Sequence, residues 1–380
     1  MHLGDGGGPP DHVRPWLAAL AENGRLEVVV PNQGRVSRLY EEIAKTTVLP
    51  YAPLTFPSDP VRFGLLPVRL ARETIALARH FRQAQPDVVV VVTAVVPQAL
   101  LGARSAGVPV TTYAAEILTR PMAGAALEKL TARLATAIVC CSETLARRYR
   151  ARGAAYVSTI YPGVDADTLG GDGAAFRRRH GLDHASPCVA VVGNISEGRG
   201  QDVALRALAL LRLELPAAHC VIAGTTLSRS ADLSYRARLD RLVEELGLRE
   251  AVTFTGFVEA VGDLYAAVDV VVNPVRVQEA FGRAGIEALA AGRPVVASRI
   301  GAIPEVLSDG EDAVLVEPGD PAAIAAAVSS LWREESLRTR LVEHGRAHVL
   351  NDFSERGGVA AFREVVRSVT RGAGARPGPR

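Results

Sequence analysis

Two carboxylates, Glu279 and Glu287, frame a short stretch from Ala280 through Phe281 and Gly282 to Arg283. Residues 282–291 are expected to be helical, stopped by Gly292 and followed by Pro294. The first amides of a helix have no partner within it, and the helix dipole favours negative charge there. Gly282 and Glu287 are separated by about one and a half turns, roughly 7 Å of rise. Glu279 is therefore expected beside the helix start and Glu287 further along one side. An anion cradle flanked by two hydroxyl-binding carboxylates suits a nucleotide diphosphate carrying hydroxyl-rich groups at both ends. Taken as a bare pair, the same residues also read as a loop charge and a solvated helix residue.

The elements around this stretch are those that would position it. Residues 268–273 read as a buried strand and 295–298 as the next one, so the unit is strand, loop, helix, strand. A second array opens at residues 189–192 and runs into the loop from Gly193 and Asn194 through Arg199 to Asp202. Arg199 is the cation of that loop, and a guanidinium can hold phosphate in bidentate fashion. Further helices are expected at 203–213, 233–246, 261–267, 321–333 and 335–350, and strands at 219–223 and 252–255.

The first half repeats the alternation more loosely. Strands are expected at 26–30, 48–54, 88–92, 108–113, 137–141 and 157–160, with helices at 12–23, 68–82, 97–106, 127–135 and 143–152. Residues 88–92 are a continuous apolar run, the pattern of a parallel strand covered on both faces. Ligands bind beyond the carboxyl ends of such strands. Glu116, just past residues 108–113, is there either to take up a proton or to cap the next helix. The helix over 68–82 carries Arg69, Arg72, Arg79 and Arg82, with Phe63 just upstream. That face reads as a solvated surface in preference to a site of weak peripheral membrane contact.

From Glu279 onward the segment resembles the retaining glycosyltransferases of family 4. The resemblance rests on Glu279 and Glu287 with seven residues between them, the turn Ala291-Gly292-Arg293-Pro294-Val295, the run Gly301-Ala302-Ile303-Pro304-Glu305-Val306, and Val314-Leu315-Val316-Glu317-Pro318-Gly319-Asp320. It implies an α/β protein of GT-B fold, with two Rossmann-like doubly wound domains facing across a cleft. It implies contact of Glu279 with the donor sugar and of Glu287 with the donor ribose. Arg199-Gly200 resembles the Lys-Gly element of the family's diphosphate clamp, whereas Asn194 departs from its usual Arg, with Arg283 as a nearby replacement. Phe257 and Val258 fall where the family's backbone meets the nucleobase. Ala115-Glu116 replaces the family's His-Asp pair. Glu279, Arg199 and Glu116 are accordingly the catalytic candidates. Gly193, Asn194, Arg199, Phe257, Val258 and residues 279–283 with Glu287 are the donor-binding ones.

The resemblance also implies an opening strand ahead of the glycine loop Gly4-Asp5-Gly6-Gly7-Gly8. Here that strand is either lacking or lies ahead of the given start. Asp165-Ala166-Asp167 spells a pattern that binds metal in other glycosyltransferase folds. In this fold it falls in a linker, so neither a metal nor any cofactor besides the donor substrate is expected.

Bulk properties set the frame. At 380 residues the chain exceeds one ordinary core. The expected division is 1–165, 170–350, a helix over 351–371 returning to the first domain, and a disordered tail over 372–380. A net charge of +2 argues against a nucleic-acid partner. The only lysines are Lys45 and Lys129, which reads as the arginine usage of a GC-rich bacterial genome. Cys140, Cys141, Cys188 and Cys220 abut strand-like runs without metal spacing, as buried free thiols in a reducing cytoplasm would. No span or signal peptide is recognisable, so a cytoplasmic protein is expected, at most peripheral on the inner membrane face.

The expected activity is transfer of a sugar from a nucleotide diphosphate, UDP-sugar before GDP-mannose, to a hydroxyl acceptor with retention. The alternatives are a non-catalytic GT-B binding subunit and a nucleotide-sugar epimerase of related fold.

Overall fold

The structure is a computed structural model that describes residues 8–54, 64–118, 121–226 and 230–374. The chain divides into two compact units, residues 1–163 with 355–380, and residues 164–354.

In the first unit the strands are β1 (Glu27–Val30), β2 (Lys45–Val48), β3 (Val89–Val92), β4 (Val110–Ala114), β5 (Ala137–Cys140) and β6 (Val157–Thr159). Its helices are α1 (Gly8–Ala21), α2 (Arg35–Glu41), α3 (Leu66–Ala84), α4 (Pro97–Ser105), α5 (Pro121–Leu134) and α6 (Glu143–Ala151), and the C-terminal α15 (Glu355–Gly374) joins them. Every strand pair is parallel. β4 and β5 are buried along their whole length. Ser142 caps α6 by accepting from the Leu145 amide, the role its position before Glu143 suggests. The sheet comes in two pieces, β1-β2 and β3-β4-β5-β6, where one doubly wound sheet was expected.

In the second unit the strands are β7 (Cys188–Val192), β8 (His219–Ala223), β9 (Val252–Gly256), β10 (Val270–Asn273), β11 (Val295–Ser298) and β12 (Val314–Val316). The helices are α7 (Gly173–His180), α8 (Gln201–Glu214), α9 (Ser230–Glu245), α10 (Val261–Ala267), α11 (Arg283–Ala290), α12 (Ile303–Val306), α13 (Pro321–Arg333) and α14 (Glu335–Asp352). The six strands form one parallel sheet in the order β12-β11-β10-β7-β8-β9. β7, β8, β10 and β11 are almost wholly apolar and buried, as strands covered by helices on both faces must be. Val203, Leu208 and Leu211 of α8 pack with Ile324, Val328 and Leu331 of α13 in the core on one side of the sheet. The strand order reverses between β10 and β7, and the crevice beyond the carboxyl ends at such a reversal is where open α/β sheets bind ligands.

Several expected elements shift. The strand placed at 48–54 lies at Lys45–Val48, because the prolines at 50 and 53 remove ladder donors from the later residues. Helix α2 was not foreseen; it is short and held by Tyr40, whose hydroxyl donates to Pro10 O at 2.9 Å. Residues 351 and 352 end α14 instead of opening the last helix, which begins at Glu355. Residues 372–374, expected in a disordered tail, extend α15. The rest of that tail, the glycine loop over residues 4–7 and Phe63 lie outside the described residues.

Candidate functional site

The loop after β7 and the loop after β10 meet at the strand-order reversal. Arg199 ends a 3-10 turn, Glu197–Arg199, and Gly200 follows in the left-handed region at φ 70° to start α8. A Cβ on Gly200 would come within 2.0 Å of Pro274 O, so only glycine permits this approach. The Arg276 amide donates to Gly198 O at 2.9 Å and fastens one loop to the other. Arg276 also pairs with Asp202 at 3.1 Å, and the Tyr235 hydroxyl donates to the same carboxylate at 2.8 Å.

Across this junction the Arg199 guanidinium donates to Glu279 Oε2. The other carboxylate oxygen of Glu279 accepts from the Ala280 amide at 3.1 Å, and its carbonyl accepts from the Ala302 amide at 2.9 Å. Gly301, at φ 65°, lies so close behind that a Cβ there would stand 2.4 Å from Glu279 N and O. Glu279 is thus held on its backbone, leaving its side chain facing Arg199.

Gly282 opens α11 with φ 89° and brings no side-chain cap to the first turn. Ala280 and Phe281 lead into it and are buried. Glu287 stands on α11, its side chain 13% exposed, accepting from Arg283 Nε at 2.5 Å and from the Tyr265 hydroxyl at 2.9 Å. Tyr265 is fully buried on α10. Burial, and then the Glu287 charge, push the Tyr265 hydroxyl well above its ordinary range, so it stays protonated and donates. Arg283, expected to replace the missing clamp cation, is held on Glu287 instead.

The remaining candidates are more dispersed. Gly193 and Asn194 follow β7, the Gly193 amide donating to Ala223 O at 2.9 Å and the Asn194 carbonyl accepting from Gln201 Nε2 at 3.1 Å. Phe257, 58% exposed, and half-buried Val258 follow β9, which is separated from β10 by β7 and β8. Glu116 belongs to the first unit. Its carboxylate accepts from the Thr93 hydroxyl, from the Ala94 amide at 2.7 Å and from the Ala115 amide at 3.3 Å. It therefore ties down the carboxyl end of β3. Thr93 itself sits at φ 129°, an unusual conformation for a β-branched residue.

Asp165 caps the short turn Ala166–Leu169 by accepting from the Asp167 amide, so the Asp-x-Asp pattern serves a backbone turn. On α3, Arg69 donates to Pro53 O and Arg82 to Ser105 O at 2.9 Å, while Leu65, Val68 and Ile75 are exposed. Among the described residues no helix is long and apolar enough to cross a membrane. All four cysteines are buried free thiols, and burial raises the thiols of Cys188 and Cys220 to about 12.

Sequence reasoning named Gly301 and Asp202 only as members of their runs and did not find Tyr265, Tyr235 or Arg276. Tyr265 reads as one more apolar position of a short helix. Only Arg276, a cation between the strand and Glu279, carried a signal that could have drawn notice.

Comparison with known proteins places the chain in a family. The model for glycosyl transferases group 1 matches residues 172–348, and that for glycosyltransferase family 4 matches residues 6–168. The D-inositol 3-phosphate glycosyltransferase of Mycolicibacterium gilvum is 37% identical over 179 residues, 46% of this chain and 39% of that one. A glycosyltransferase of Methanocaldococcus jannaschii is 32% identical over 205 residues, 52% of this chain and 50% of that one. The matches to these curated relatives span half of their length or less. Among solved structures, Anabaena HepE in complex with UDP and glucose superposes with a TM-score of 0.84 at 21% identity, covering 96% of this chain and 97% of that one. Sucrose-phosphate synthase from Thermosynechococcus elongatus gives 0.78 at 21% identity, covering 97% and 95%. The strand order, the paired loops at its reversal and the two family matches agree: the chain is a GT-B protein of the group 1 glycosyltransferases, family 4.

Proposed function

We propose that this protein is a retaining hexosyltransferase that moves a sugar from a nucleotide diphosphate to a hydroxyl acceptor. The reading is carried by the Arg199–Glu279 pair at the reversal of strand order, beside the uncapped start of α11. An arriving diphosphate offers Arg199 a stronger, doubly charged partner than one carboxylate. Its transfer to the phosphate releases Glu279 toward the hydroxyls of the sugar. Glu287, oriented by Tyr265 and Arg283, receives the ribose hydroxyls, and the nucleobase falls toward Phe257 and Val258. Asn194 contributes its amide side chain where the family clamp has a cation, and Gly193 leaves room for the phosphates.

The bond between the anomeric carbon and the diphosphate oxygen breaks, and the diphosphate keeps the electron pair. Stabilising that charge is the main catalytic task, shared by Arg199 and the α11 amides. The acceptor oxygen bonds to the anomeric carbon and loses its proton to the departing diphosphate oxygen. No metal is assigned a part.

A UDP-sugar is the first choice of donor and GDP-mannose the second. HepE has been crystallised with UDP and with UDP-glucose, which supports that order by likeness of fold. The acceptor belongs to glycan, glycolipid or natural-product synthesis, in a cytoplasmic enzyme.

The test is nucleotide release from a panel of UDP- and GDP-sugars, with the anomeric configuration of the product read by NMR. Slow release from one donor, lost in Glu279→Ala, is the expected result. Tight binding of a nucleotide with no release, with or without acceptors, would instead support a binding subunit. Conversion of the sugar without acceptor would support an epimerase.

A further inference from the structure

Arg199 carries the largest share of the proposed reaction, and the chain around it gives it little support. It is the last residue of a single 3-10 turn, Glu197–Arg199, and glycine stands on either side of it, Gly198 and Gly200. Glycine leaves the backbone more freedom than any other residue. Within the turn, the Arg199 amide donates to Ser196 O at 2.9 Å and the Gly200 amide to Glu197 O at 3.2 Å. The Arg199 side chain is half-exposed and runs past Gly193, where an added Cβ would stand 3.9 Å from its Cδ and Nε. A cation in such a place keeps one position only if something outside the turn fixes it.

Arg276 does so from the loop after β10. Its amide donates to Gly198 O at 2.9 Å and its guanidinium to Glu197 O at 3.4 Å, so one residue holds two successive carbonyls of the turn. The same guanidinium pairs at 3.1 Å with Asp202, in the first turn of α8. Asp202 is itself fixed. Its side chain is 13% exposed, and Arg206 pairs with it at 2.7 Å. The buried Tyr235 hydroxyl of α9 donates to its carboxylate at 2.8 Å and accepts from its amide at 3.1 Å. Burial above all holds that hydroxyl above its ordinary range, so it stays a donor. Val277 lies against Gly198, where an added Cβ would meet its Cγ2 at 2.8 Å. Replacing the Arg276 side chain would spare the amide bond to Gly198 and remove the contacts with Glu197 and Asp202.

The charges around the site make this placement matter. Asn194 is neutral where the family clamp has Arg, and Arg283 is paired with Glu287. Among the clamp candidates, Arg199 is then the cation that faces the incoming diphosphate. Displacing such a group by about 1 Å can cost about 10²-fold in rate.

We infer that Arg276 is a positioning residue: by holding Asp202 and the Glu197 carbonyl it fixes the turn that aims Arg199 at the donor diphosphate. This role rests on the proposed function, in which Arg199 meets the phosphates.

The test is a double-mutant cycle with Arg199→Ala. Arg276→Met keeps an extended stem and removes the guanidinium. It is expected to lower kcat/KM for the donor about 10–100-fold in the otherwise unaltered protein and less than about 3-fold in the Arg199→Ala background. An equal fall in both backgrounds overturns the positioning role and makes Arg276 an independent ligand of the donor. Arg276→Lys keeps a charge opposite Asp202 and is expected to recover most of the loss. A Lys variant as impaired as the Met variant, at an unchanged melting temperature, overturns the Asp202 pair as the holding contact.

Amide exchange without ligand separates this role from the proposed function. Exchange at Arg199 and Gly200 is expected to quicken about 10-fold or more in Arg276→Met. Unchanged exchange there overturns the brace even in a protein that transfers sugar. Faster exchange in a protein that turns over no donor and binds neither UDP nor GDP supports the brace and places the failure in the proposed function.

Discussion

Arg199 and Glu279, 80 positions apart in the chain, are joined by an ion pair at the point where the second unit's strand order reverses. Each belongs to a loop anchored by a backbone contact that only glycine allows, Gly200 against Pro274 and Gly301 against Glu279. The pair is therefore a fixed feature of the junction and not a chance meeting of surface charges, which would contribute little.

If Arg199 is to exchange Glu279 for a diphosphate, removing either partner has unequal effects. Arg199→Ala is expected to lower kcat by about 10²–10³-fold, the usual consequence of losing one stabiliser of developing negative charge. Glu279→Gln frees the guanidinium and is expected to tighten binding of the free nucleotide diphosphate while lowering turnover. Calorimetric titration of the diphosphate beside steady-state turnover separates the two. Weaker diphosphate binding in Glu279→Gln would contradict the exchange.

Tyr265 acts through Glu287. Tyr265→Phe removes one hydroxyl from a fully buried site and leaves the Glu287 carboxylate short of a donor. Donor KM is expected to rise about 5–20-fold, equivalent to about 1–2 kcal/mol, with kcat changed far less. Glu287→Gln should raise KM by more than Tyr265→Phe does. A fall in kcat at unchanged KM in the Tyr265 variant would remove it from the positioning of the donor.

Two glycines with similar backbone conformation separate strain from obstruction. Gly107 (φ 78°) has nothing within 4 Å of an added Cβ, and Gly301 (φ 65°) has Glu279 backbone at 2.4 Å. Gly107→Ala is expected to cost about 1–2 kcal/mol from the left-handed conformation alone. Gly301→Ala is expected to cost more than that and to lower turnover by displacing Glu279. Chemical denaturation of both variants beside an activity assay makes the comparison. Equal costs with full activity in Gly301→Ala would mean that the contact is readily relaxed.

His219 begins β8, 4% exposed, with Nε2 at 2.9 Å from the Thr253 hydroxyl. Burial, aided by His184, Arg212 and Arg177, lowers its pKa from the ordinary 6.5 to about 4. The unfolded chain then binds a proton at a pH where the folded one does not. Its contribution to stability is complete above pH 6.5 and declines as the pH falls toward 4. His219→Gln is expected to flatten the stability profile over that interval, read from denaturation midpoints at a series of pH values. An unaltered profile would assign the acid sensitivity to other groups.

The sequence by itself determined the parts whose cause is local. Apolar, β-branched runs such as 189–192 and 270–272 read as strands in a covered sheet, and Gly292 with Pro294 ends α11 where the pattern stops. The eight-residue spacing of Glu279 and Glu287, with the turns that follow, was enough to indicate the family, and the two matches bear this out.

Only the tertiary structure decided which groups meet. The partner of Arg199 lies in a loop 80 residues on, and the hydroxyl that holds Glu287 comes from a different helix. Glu116 proved to secure the end of β3 through Thr93 and the Ala94 amide, 22 residues earlier. The split between β1 and β3 also could not be read from residue order, because β2 and β3 are consecutive strands that end up in different sheets. Pairing between distant segments is set by how the sheets close and which edges they expose, and spacing along one chain carries no record of that.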